Sequence, residues 1–218
     1  MFRKILPYED DLFFIINGTY NNFLDNIMWL FSSLKIWIPI AILIVFAIVY
    51  RKSWKQWFPV LIAIILVFVL CDQFSSHIFK PIVARPRPTH YPGIMEYVRT
   101  LYGYTGGKYG FISGHATNSF GFAMFTALLF KNKIYNIIIL SWAVAISYSR
   151  VYLGVHFVSD IVGGTIVGII IGFVMYKLYC LIQKKMLTNP NIYPTRRMNI
   201  ISVIIVCYII TLSILNKH

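Results

Sequence analysis

The chain is 218 residues long, 58% apolar and only 12% charged, where soluble proteins hold about 45–50% apolar and about 25% charged residues. A mean hydropathy of +0.70 places it in a membrane and excludes a disordered chain, while Cys71, Cys180 and Cys207 stand singly in apolar runs, without the spacing of a disulfide framework or a zinc module. The formal charge of +13 would signal nucleic acid in a soluble protein; in a membrane protein it signals bilayer contact or an acidic substrate, and no nucleic acid, because basic residues gather in cytoplasmic loops and beside anionic headgroups.

Met1-Phe2-Arg3-Lys4 leads into Glu9, Asp10 and Asp11 rather than into an apolar run, so no cleavable signal peptide is expected and the membrane segments themselves direct insertion. The acidic start and the mixed polar and apolar stretch Leu12–Leu34 predict an amphipathic helix lying at the interface over residues 1–34. Six crossings follow: Lys35–Tyr50, Trp57–Phe79, Phe111–Phe130, Ile134–Ser149, His156–Leu181 and Ile200–Leu215, the last drawn at its widest as 197–216. Several sit near the lower limit of about 17 residues for a spanning helix. The expected fold is all-α: a polytopic membrane protein of about six transmembrane helices with an N-terminal interfacial helix, folded as one domain, 1–218. Between the second and third crossings lies the longest polar loop, residues 80–110, rich in Pro, Gly and Tyr; a loop of that length is functional or disordered. Gly164, Gly168 and Gly172 recur every four residues in the fifth crossing and predict close helix packing.

Parity puts loop 80–110, the start of the third crossing and the turn 149–156 on one side of the bilayer. On the other side fall ten of the twenty basic residues, from Arg51 and Lys52 to Arg196 and Arg197. Setting Lys80, Arg87 and Arg150 aside as functional leaves ten against seven, so the positive-inside tendency makes that other side cytoplasmic. The polar convergence then faces outward, which in a bacterial inner membrane is the periplasmic face.

Ionisable residues at membrane depth are costly and point to function, with a structural ion pair as the alternative. His156 and Asp160 stand four apart at the start of the fifth crossing, on one helical face, where the carboxylate can hold one ring nitrogen and fix the tautomer of the other. That is the orienting half of a catalytic triad, or a satisfied structural contact. Ser113-Gly114-His115 opens the third crossing, so helix N-terminal amides face the same side: an anion site, or a helix merely capped by Ser113. Lys80, Arg87 and Arg150 each stand at a membrane boundary on that side. Singly they read as interfacial snorkellers; together they describe a pocket for a dianionic phosphate.

Lys80-x6-Arg87-Pro88, Ser113-Gly114-His115 and Ser149-Arg150-x5-His156-x3-Asp160, in that order, resemble the three-part signature of the type 2 phosphatidic acid phosphatase superfamily of membrane lipid phosphatases. The resemblance covers about Asp72 to Gly172 and extends to the six-crossing layout. One residue departs from it: Ile112 stands where the family usually has proline, which puts the rigidity of the loop in doubt and not the chemistry. The resemblance implies that His156 attacks phosphorus and becomes a phosphohistidine, that Asp160 orients it, and that His115 protonates the leaving oxygen and later activates water. It implies that Lys80, Arg87, Ser113, the Gly114 amide and Arg150 bind the phosphate oxygens, with no metal and no cofactor. Asp72 and Arg85 lie outside the signature; Asp72 reads as structural, and Arg85 is near enough to touch a headgroup. Tyr91, Tyr97, Tyr102, Tyr104 and Tyr109 form an interfacial belt or a lid.

The expected function is metal-independent hydrolysis of a membrane lipid phosphate or diphosphate: undecaprenyl diphosphate, a lipid A phosphate or phosphatidylglycerol phosphate. Spare positive charge at Arg85, Arg99 and Lys108 favours the more anionic of these over phosphatidic acid. A phosphotransferase using the same intermediate would differ in passing the phosphoryl group to an acceptor hydroxyl. A non-catalytic anionic-lipid carrier would need neither a nucleophile nor an acid.

Overall fold

A computed structural model describes residues 8–186 and 192–215, and the described residues form nine α-helices joined by short turns and one long loop. Residues 1–7 of the expected interfacial segment and residue 216 of the last span lie outside the described residues. The N-terminal segment is two helices rather than one, α1 (Glu9–Asn17) and α2 (Asn22–Ser32), because Gly18 ends the first and the Asn21 side chain caps the second, accepting from the Phe23 and Leu24 amides. Nor does α1 bury a purely apolar stripe. Glu9, Phe13 and Asn17, spaced four apart on one face, turn into the protein, while Leu12 and Ile15 face outward. Burial of the two polar residues is compensated by partners: Asn17 donates to the Arg99 and Tyr152 carbonyls at 2.9 Å each.

Among the described residues, four helices are long and apolar enough to cross a membrane by themselves: Trp54–Val83, α7 (Lys133–Tyr152), α8 (Val158–Met186) and α9 (Thr195–Leu215). The first of these is continuous through α4 (Trp54–Asp72), a π-helical turn (Gln73–Phe79) and α5 (Lys80–Val83), so it overruns the expected second crossing and carries Lys80 on helix rather than loop. The expected first crossing is α3 (Ile38–Val49), whose 12 residues reach only about 18 Å at about 1.5 Å each. It makes a fifth span only together with α2, from which it is bent by 71°. α6 (Gly114–Phe130) has 17 residues and is the third of the six segments expected. The chain is an all-α integral membrane protein.

α6 lies at the centre, packed chiefly on α8 and also on α4 and α7. The glycine stripe makes this possible. A Cβ at Gly164 would stand 2.7 Å from the Ser113 carbonyl oxygen, and one at Gly168 or Gly172 would collide with the carbonyls of Thr117 or Gly121. Backbone therefore meets backbone along the α6–α8 seam from Ser113 to Gly121, as the spacing predicts. The top of that seam fixes Ser113 against the first turn of α8, where the Ser113 amide donates to the Asp160 carbonyl at 3.0 Å. Ile112, the residue in place of proline, is fully buried at the same point, against Gly163.

At the opposite end the turns draw together: Lys52 Nζ donates to the Ile192 carbonyl, Arg197 to the Tyr50 carbonyl, and Asn132 to Asn199.

Candidate active site

The helix before the long loop ends at Ala84, whose left-handed φ of 46° reverses the chain. Arg85-Pro86-Arg87-Pro88 follows, and each proline forces the arginine before it into an extended conformation. Side chains two apart on extended backbone point the same way, so both arginines turn inward. The segment is pinned by a short antiparallel pairing in which Arg87 N donates to the Lys108 carbonyl (3.1 Å) and Gly110 N to the Arg85 carbonyl (2.9 Å). Gly106, at φ 68°, wraps so closely over the Arg87 guanidinium that a Cβ there would stand 2.6 Å from Nη1. Arg87 is held further by the Tyr109 carbonyl (3.1 Å) and the Val155 carbonyl (3.4 Å).

Lys80 is placed by the π turn, in which its backbone amide reaches the Ser75 carbonyl, five residues back. Its ammonium sits 3.4 Å from Ser76 Oγ, which in turn donates to Asp72 at 3.0 Å. Asp72 thus supports the lysine through Ser76, and its exposed carboxylate stays outside the cluster. A Cβ on Gly114 would be 3.9 Å from Lys80 Nζ, so the ammonium faces the first turn of α6. Ser113 caps that helix, its hydroxyl accepting from the Ala116 amide at 3.4 Å. His115, two residues further on, is exposed and within electrostatic reach of Arg150, His156, Arg87 and Lys80.

His156 is not on the fifth crossing helix, which starts at Val158. It lies in the turn before it, and the expectation of one shared helical face is corrected accordingly. Asp160, in the first turn of α8, reaches back: Oδ2 accepts from the Phe157 amide at 3.0 Å and meets His156 Nδ1 at 3.2 Å. A carboxylate only accepts, so Nδ1 carries the proton and Nε2 keeps its lone pair. His156 is buried, and burial lowers its pKa well below the usual 6.5, helped by the charges of Arg87, Arg150 and Lys80. Arg150, 1% exposed near the end of α7, donates to Ser32 Oγ at 2.5 Å and to the Tyr104 hydroxyl at 2.9 Å. The eight residues singled out in the sequence therefore converge at the end of the bundle where α5, α6, α7 and α8 meet the long loop.

A family model described as the PAP2 superfamily matches residues 56–183. The chain belongs to the PAP2 superfamily. Among its relatives, a lipid A 4'-phosphatase of Porphyromonas gingivalis is 45% identical over 80% of this chain and 74% of its own length, and a lipid A 4'-phosphatase of Bacteroides thetaiotaomicron is 35% identical over 81% and 79%. The crystal structure of Aquifex aeolicus LpxE superposes with a TM-score of 0.59 at 28% identity, over 81% of this chain and 99% of that one. A PAP2-type phosphatidylglycerolphosphate phosphatase from Bacillus subtilis shares the fold, with a TM-score of 0.61 at 24% identity over 84% and 87%.

Around this PAP2 site the structure revises two sequence expectations. Arg85 and Arg99 are not spare headgroup ligands: Arg85 is ion-paired with Glu9 (2.7 Å) and Asp160 (3.1 Å), and Arg99 with Asp25. Of the three charges held to favour a more anionic substrate, Lys108 alone is exposed. The tyrosines divide. Tyr97 and Tyr102 are exposed, Tyr91 packs on Phe157, and Tyr104 reaches into the site to hold Arg150. Glu9, Ser32 and Ser76 were not singled out as site residues in the sequence, and Tyr104 was read only as part of a belt or lid; of these, Glu9 alone, one of seven acidic residues, carried a signal.

Proposed function

We propose that this chain hydrolyses a membrane lipid phosphate, with a lipid A phosphate as preferred substrate and the 4'-phosphate as the group removed. The supporting observation for the chemistry is a buried histidine with one nitrogen committed to a carboxylate and three cations acting on it. The supporting observation for the substrate is relatedness: two lipid A 4'-phosphatases match about four-fifths of the chain, one of them at 45% identity.

In this reading the phosphate dianion lies between Lys80, Arg87 and Arg150, with Ser113 and the Gly114 amide donating from the helix N-terminus. Arg150 exchanges Tyr104 and Ser32 for phosphate oxygens. His156 Nε2 attacks phosphorus in line with the bond to the lipid oxygen; as that bond breaks, His115 gives its proton to the departing oxygen. Asp160 holds the Nδ1 proton and balances the charge that His156 gains on becoming a phosphohistidine. Water, deprotonated by His115, then attacks phosphorus, the P–N bond breaks, and inorganic phosphate leaves. Three fixed cations stabilise the equatorial oxygens throughout. The site lies at the bundle end opposite the more basic turns, so the proposed orientation is periplasmic, in a bacterial inner membrane.

The test is a panel of lipid phosphates offered to purified protein in detergent containing EDTA. Lipid A carrying a 4'-phosphate should give the highest kcat/KM. Preference for undecaprenyl diphosphate, the substrate named for a Sulfolobus acidocaldarius relative at 27% identity, or for phosphatidic acid would refute the substrate assignment. Activity that required added metal would refute the mechanism.

A further inference from the structure

We propose that Arg85, held by Glu9 of the N-terminal helix, is a positioning residue for the reaction: it fixes the Asp160 carboxylate, and Asp160 in turn holds the His156 ring. The proposal rests on the reading of His156 as the nucleophile. Arg85 stands two residues from the phosphate-binding Arg87, yet its guanidinium does not join the cation cluster. Nη1 donates to Asp160 Oδ1 at 3.1 Å and to Ser159 Oγ at 2.6 Å, Nη2 donates to Glu9 Oε2 at 2.7 Å, and the guanidinium lies over the Phe157 ring at 4.0 Å. Glu9 is fully buried and also accepts from the Ser159 amide (3.2 Å) and the Ser159 hydroxyl.

The consequence is that both oxygens of Asp160 are committed. Oδ1 is on Arg85, and Oδ2 is shared by His156 Nδ1 and the Phe157 amide. A carboxylate with one oxygen free could rotate about its Cβ–Cγ bond and carry the imidazole with it; with Arg85 in place it cannot. Glu9 fixes the arginine from the far side, so α1 acts as a clamp on the nucleophile's support.

The charges give the proposal a sign. Around His156 and Asp160 stand Arg85 and Arg87 from the loop, Lys80 from α5, Arg150 from α7, His115 from α6 and Glu9 from α1. Replacing Arg85 by methionine removes one cation and leaves Glu9 and Asp160 as two buried carboxylates flanking Ser159. One of them then keeps a proton to higher pH, and while Asp160 is protonated it no longer holds His156 Nδ1 as a carboxylate, so the acid limb of kcat/KM rises. Removing the Glu9 charge as well restores the balance.

The experiment compares wild type, Arg85→Met, Arg85→Lys, the double variant Glu9→Gln with Arg85→Met, and His156→Ala, using a lipid phosphate substrate from acid to neutral pH. Arg85→Met should lower kcat about 10²-fold, with KM and competitive inhibition by inorganic phosphate within about threefold of wild type. Its acid limb should move up, and the double variant should move the limb back and recover about tenfold in kcat. Arg85→Lys keeps the charge but cannot span both carboxylates; it should leave the limb in place and still lose kcat, and it carries the test if Arg85→Met does not fold. A loss of activity spread over KM and phosphate binding, an unmoved limb in a folded Arg85→Met, no recovery in the double variant, or a wild-type kcat in Arg85→Lys would each overturn the proposal. Activity in His156→Ala would instead overturn the reading beneath it.

Discussion

His156 lies outside the helix that orients it: Asp160, in the first turn of α8, folds back to cap the Phe157 amide and hold Nδ1 with the same oxygen. Burial and the surrounding cations then depress the histidine's pKa below 6.5. In the proposed mechanism the reactive form is the neutral one, so reactivity persists as pH falls through 6.5 and is lost only at lower pH. The acid limb of kcat/KM in the wild type should accordingly lie below 6.5, and a limb at or above that value would contradict the electrostatic picture. Linkage has the same sign: the stability gained by keeping His156 neutral is complete above the unfolded value of 6.5 and declines as pH falls below it. In the proposed mechanism His115 transfers a proton and does not bind phosphate, so alanine there should lower kcat by about 10²–10⁴-fold while inorganic phosphate still inhibits. Equal losses in kcat and in phosphate binding would place His115 in the binding set instead.

At the scale of elements, the site depends on how closely α6 can approach α8. Gly168 faces the Thr117 carbonyl with no room for a Cβ, so Gly168→Leu should force the helices apart, cost at least about 1–3 kcal/mol, and lower both the melting temperature in detergent and kcat. An unchanged melting temperature would show that the seam can yield. This seam was legible in the sequence because a four-residue glycine period has one economical meaning in a membrane helix. The three signature segments were legible because polar residues at membrane depth stand out against their surroundings. The N-terminal helices were not: hydropathy assigns an apolar face to the interior, whereas α1 buries Glu9 and Asn17, whose partners Arg85, Arg99 and Tyr152 are at least 76 residues away in the chain. The charge argument for Arg85 and Arg99 failed for the same reason, since their neutralising carboxylates come from α1 and α2. The length of α3 was missed because Lys35–Trp37, counted in the expected first crossing, belong to a 3₁₀ turn (Leu34–Trp37), and the α-helix begins only at Ile38, with Pro39 in its first turn.

For the whole molecule, two ends of one bundle carry different chemistry. The end with Lys80, Arg87, Arg150 and the histidines is the candidate site; the other collects Arg51, Lys52, Lys131, Arg196 and Arg197. Cysteines introduced near Gly106 and near Lys184, in a background with the native cysteines replaced, should label from opposite faces, with Gly106 outward. Labelling of both from one face would refute an odd number of crossings between them, and labelling of Gly106 from the cytoplasm would place the site inside. The central claim is that phosphate leaves the lipid by way of His156, and trapping the enzyme during turnover tests it most directly. Wild-type protein quenched with lipid A labelled in its 4'-phosphate should carry an acid-labile, alkali-stable phosphoryl group that maps to His156 and is absent from His156→Ala. Rapid turnover with no trapped phosphoenzyme under any quench, or label on another residue, would contradict the account.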